Sequence, residues 1–139
     1  MSFREKSAWI SFGCLLAFTA LWFAHVMRVE FFHVGNDNPM AYFFAMLGLL
    51  LASEIGLHLA IAWQSPRDAR TPKDEREKLI DLRASRVAFY ALLIGATASI
   101  GTLHLPVNKY AMGQCIMGSV LLALLIRFAT QIALYRRDA

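Results

Sequence analysis

No stretch of this chain alternates apolar and polar residues with a period of two, and that absence removes β-strands, including those of a membrane barrel. No phosphate-binding glycine loop and no kinase, hydrolase or zinc-protease pattern occurs either. Glu54 with His58 alone completes none of the metal-binding helix motifs, so the sequence argues against an enzyme. There is no internal repeat, low-complexity tract or long linker. Cysteine is confined to Cys14 and Cys115. They fall near the inner end of the first apolar segment and the outer end of the last, too far apart to bridge, so both read as packing residues. Acidic residues number ten against fourteen Lys and Arg, giving a net charge of +4. That excess would suit nucleic acid, but its placement explains it without such a partner.

What is abundant is apolar surface. The chain is 58% hydrophobic, with a mean hydropathy of +0.47. Four continuous runs, Ala8 to Val26, Met40 to Trp63, Val87 to Leu105 and Tyr110 to Leu134, each approach the ~20 residues that span a bilayer as a helix. The predicted fold is all-α, an up-down four-helix membrane bundle forming one domain. Lys and Arg set its orientation, because basic residues stay on the cytoplasmic side. Arg4, Lys6, Arg67, Arg70, Lys73, Arg76, Lys78, Arg83, Arg86, Arg136 and Arg137 share one side; only Arg28 and Lys109 lie on the other. Both termini are therefore expected in the cytoplasm, with an anionic lipid surface beside the basic residues. Trp9, Trp63, Tyr90 and Tyr135 near the inner interface and Trp22, Phe31, Phe32, Tyr42 and Tyr110 near the outer one agree. The first run is longer than a signal-peptide core and no small-residue cleavage site follows it, so it is expected to remain uncleaved.

Ahead of the third run, Thr71-Pro72-Lys73-Asp74 offers a cap, a proline at the first helical position and an acid in the first turn. The third helix is expected to start near Pro72 and run as an amphipathic cytoplasmic extension to Arg86, with Asp74 and Lys78 paired across one turn. Leu79, Leu82 and Arg86 then share a face, and with Asp74 and Glu75 they are the candidate contact for a cytoplasmic protein. The run from Asp74 to Arg86, leading straight into a membrane helix, resembles a segment of small bacterial membrane proteins with about four helices. The resemblance covers about a tenth of the chain. It implies an inner-membrane location and, from members that accompany small transcription regulators, a regulatory or sensing role. Those families have no established activity or site, so it assigns no residue a role.

Ionisable residues inside the apolar runs are the strongest pointers to function, since each costs at least a few kcal/mol in hydrocarbon. Glu54 lies ~13 Å outward from Trp63 and Arg127 ~12 Å outward from Tyr135, at ~1.5 Å per residue. Their similar depth suggests an ion pair, with His58 one turn below the first and Gln131 one turn below the second. Alternatively Arg127 snorkels inward, or Glu54 and His58 form a proton or cation relay or line a small-molecule pocket. At the outer edge, His25, His33 and His104, with Met27, Met40 and Met112 at comparable depth, could hold haem iron or copper, or simply pack at the interface. Small residues form two stripes: Ala91, Gly95, Ser99 and Thr102 on the third helix, and Ala111, Cys115, Ser119 and Ala123 on the fourth beside Gly118. These favour close helix packing in a bundle or homo-oligomer.

The function expected from these features is a non-enzymatic interaction or regulatory component of the membrane, needing no cofactor. The rivals are a transport unit centred on Glu54, His58 and Arg127, and a haem or copper electron carrier using His25 and His104.

Overall fold

All of the regular structure in the described residues is helical: four helices and no strand. The computed structural model describes residues 3–32, 39–64, 72, 74–101 and 109–137. The helices are α1 (Phe3–Phe32), α2 (Pro39–Gln64), α3 (Glu75–Ile100) and α4 (Lys109–Arg137). Two of them, over Arg4–Arg28 and Met112–Arg137, are long and apolar enough to cross a membrane; Leu47–Trp63 is a shorter apolar stretch. Only 22% of each long window is buried, whereas the core helix of a water-soluble protein is mostly buried.

The chain divides into two units, Met1–Thr71 and Pro72–Ala139. The first is the α1/α2 hairpin. Its seam on α1 is the buried series Ala8, Ser11, Leu15 and Phe18, a three-and-four spacing that keeps side chains on one face. On α2 the half-buried residues Leu47, Leu50, Glu54, His58 and Ile61 repeat in the same way. Hydroxyls inside the helices bond to their own backbone, with Thr19 donating to the Leu15 carbonyl at 2.7 Å and Ser53 to that of Leu50 at 2.8 Å. Such bonds to the preceding turn satisfy a hydroxyl within its own helix.

The second unit is the α3/α4 hairpin. Helix α3 begins at Glu75, three residues beyond the expected Pro72; Thr71 lies outside the described residues. The start is fixed by Asp74, whose carboxylate accepts from the Glu75 amide at 2.7 Å while the Glu77 carboxylate accepts from the Asp74 amide at 3.3 Å. Asp-x-x-Glu supplies both halves of a capping box, whereas Thr71 has only the shorter Asp74 three residues on. Asp74 is thus turned to its own helix's first amides rather than paired with Lys78. Ile80, Ala84, Ala88 and Ser99 of α3 are buried, as are Leu121, Ala123, Gln131 and Ile132 of α4.

Of the small-residue stripes, Gly95 and Ser99 meet Ser119, whereas Cys115 is exposed. A Cβ added to Gly95 would lie 2.7 Å from the Ser119 Cβ and 2.6 Å from its Oγ. The Ser99 and Ser119 hydroxyls are 3.5 Å apart, but each proton already goes to a carbonyl of its own helix, Gly95 and Cys115, at 2.8 Å. That contact is therefore packing more than bonding. Of the other stripe residues, Thr102 lies outside the described residues. Gly95→Ala should destabilise the hairpin by about 1–3 kcal/mol through overpacking, and Ser119→Gly should restore it. Thermal unfolding of the detergent-solubilised variants reads both, and a neutral Gly95→Ala would refute the close approach.

Candidate functional site

Polar side chains gather at one place in each hairpin. In the first, the His58 ring lies between two hydroxyls of α1: Nδ1 is 3.2 Å from the Ser7 Oγ and Nε2 is 3.1 Å from the Ser11 Oγ. Ser7 and Ser11 are one turn apart on the buried side of α1, so a single imidazole spans both. A neutral ring has one donor and one acceptor nitrogen, and a hydroxyl serves as either. Both ring nitrogens are thereby satisfied whichever tautomer is present. Glu54 stands one turn further along the same α2 stripe, half-buried, with no hydrogen-bond or ion-pair partner among the described residues.

In the second hairpin the buried Gln131 donates through Nε2 to the Asp81 Oδ1 at 2.8 Å, tying α4 to α3. Gln131, expected one turn below Arg127, has as its partner a carboxylate of the neighbouring helix. Arg127, one turn away, is half-buried, and its Nε has no hydrogen-bond partner among the described residues. Its guanidinium carbon is 5.9 Å from the centre of the Phe128 ring, at the outer limit of a cation–π contact. Glu54 belongs to the first hairpin and Arg127 to the second.

Of the outer histidines, His25 is half-buried on α1, while His33 and His104 lie outside the described residues. Among the described residues no three His, Cys, Asp or Glu side chains come together as a metal site would require. Cys14 and Cys115 are both free thiols. At the amphipathic start of α3, Leu79 and Leu82 are 53% and 57% exposed, Asp74, Glu75 and Arg86 are exposed, and Ile80 and Ala84 on the opposite side are buried.

Three residues of these clusters were not singled out from sequence: Ser7, Ser11 and Asp81. Serines one turn apart at the inner end of α1 face the level of His58 once the helices are set antiparallel, a signal available in the numbering. Asp81 has no local feature that marks it, and only the α3/α4 register turns it into an acceptor. Ser11→Ala and His58→Leu should each destabilise the first hairpin by about 0.6–2 kcal/mol, the usual range for interhelical bonds in an apolar phase. The double variant should lose less than the sum, as measured by unfolding in mixed micelles, because the bond is removed only once. Strict additivity would mean that the two side chains do not interact. No family model matches the chain, and comparison with curated proteins and with solved structures finds no relative.

Proposed function

We propose that the chain is a small multi-pass protein of a bacterial inner membrane, a four-helix up-down bundle with both termini cytoplasmic. In this reading it acts as a non-enzymatic interaction or regulatory component of a larger assembly. Two long apolar helices support the membrane placement. So does the exposure of Phe23, Phe44, Ile55, Phe89 and Ile94, each 59% or more, which is costly in water and harmless in lipid. The observation that carries the interaction reading is the open Leu79, Leu82 and Arg86 face of a self-capped helix. His58 and Gln131 support it by serving as ties between helices rather than converging on a reactive centre. Fitting neighbours are a cytoplasmic protein at the start of α3, and other membrane subunits or a second copy along the apolar faces.

A photo-crosslinking side chain placed at Leu82 in native membranes should give a discrete protein adduct that weakens when Leu79→Asp is added. Absence of any protein adduct there would sink the contact face, and release of the chain from membranes by an alkaline wash would sink the membrane placement. A second reading, a proton or cation transport unit, is favoured by Glu54 standing one turn from His58 without a partner among the described residues. It requires liposome flux that disappears in Glu54→Gln.

A further inference from the structure

The contacts of the second hairpin set the relative depth of its charged residues. Gln131 reaches Asp81, and Ser119 lies against Gly95. Along α3, Arg86 stands five residues from Asp81 and nine from Gly95. Along α4, Arg127 stands four residues from Gln131 and eight from Ser119. Antiparallel helices that rise ~1.5 Å per residue and touch on both sides of this pair bring Arg86 and Arg127 level to within about one residue's rise. Arg83 is one turn further toward the start of α3. On the other side of that level the rest of α3 carries no charge, and α4 carries none until Lys109. From Arg127 to Lys109 is ~27 Å of helix, close to the ~30 Å of a hydrocarbon core.

We infer that Arg86 and Arg127, with Arg83 beside them, form a belt at the inner edge of the hydrocarbon that holds the headgroup phosphates of anionic phospholipid. The inference rests on the membrane placement proposed above. Arg83 and Arg86 are exposed, whereas Arg127 is half-buried with its Nε enclosed and unbonded, so its terminal guanidinium nitrogens are the ones left for an outside anion. Helix α4 contains no acidic residue, and Asp81, the nearest acid on α3, already accepts from Gln131. A guanidinium at the edge of a low-dielectric phase needs an anion, and a phosphate diester offers the paired oxygens that its planar donors fit. The belt also removes the need for Glu54 as a partner, because Arg127 then sits at the rim of the bilayer rather than within it.

The test is native mass spectrometry of the full chain in detergent, offered phosphatidylglycerol and phosphatidylcholine in equal amounts. The wild type should retain phosphatidylglycerol preferentially. Arg86→Gln and Arg127→Gln should each lower that preference about fivefold, while Arg86→Lys with Arg127→Lys keeps most of it and Arg4→Gln with Lys6→Gln leaves it unchanged. An equal loss from the Arg4 and Lys6 variants, or no loss from the Arg86 and Arg127 variants, overturns the belt. Displacement of the lipid by millimolar inorganic phosphate also overturns it, by assigning the site to a soluble anion. A spin label at Phe128→Cys, in a background lacking Cys14 and Cys115, provides a readout that does not depend on the arginines. It should report phosphate-level depth, and a mid-bilayer depth refutes the belt. A chain that does not enter lipid at all would instead defeat the membrane placement.

Discussion

Everything in the second hairpin depends on the antiparallel register between α3 and α4, and that register is held at two points of opposite character. Near one end, Gly95 has no side chain, so α4 approaches until Ser119 occupies the space a Cβ would need. Near the other, Gln131 and Asp81 share a directional hydrogen bond between two side chains that would be costly to leave unmade where Gln131 is buried. The first contact sets the distance between the helices; the second selects one register among those that close packing would allow. With both in place, Ile80, Ala84 and Ala88 fall inward, and Leu79, Leu82 and Arg86 are left on the opposite face.

The first hairpin solves the same problem with a different group. An imidazole flanked by hydroxyls on both nitrogens pins α2 to α1 about half a turn to either side of a single level. Serine suits this task because it is small enough for the helices to stay close and can donate or accept. Glu54 is the exception along the seam. It lies between Leu50 and His58 on the half-buried stripe, and among the described residues no group answers its carboxylate, which is why the transport reading keeps a physical basis.

Much of the fold was legible beforehand because it follows from short-range rules. The apolar runs determine four helices: the first, second and fourth are enclosed by α1, α2 and α4, while α3 ends at Ile100, ahead of the expected Leu105, with 102–105 outside the described residues. The start of α3 was displaced by three residues because Thr71 and Asp74 are both competent caps, and the choice between them falls to Glu77, whose position completes the box only with Asp74. That Leu79, Leu82 and Arg86 share one face of the α3 segment was legible from spacing alone; that Ile80 and Ala84 are the buried side was not. The bonds of His58 and Gln131 were not, since each joins residues about fifty positions apart, and nothing local in either helix names its partner.

By itself, the sequence determined that the chain is helical, where the helices run, which faces are apolar, and that a few polar residues stand inside apolar surroundings. Those properties depend on periodicity and on the cost of unsatisfied backbone, both readable within a turn or two of helix. Only the tertiary structure decided that Ser7 and Ser11 take His58, that Asp81 takes Gln131, and that Arg86 and Arg127 lie at one level. These follow from the rotation and register of one helix against another, which close packing at Gly95 and a handful of hydrogen bonds select and which no single helix encodes.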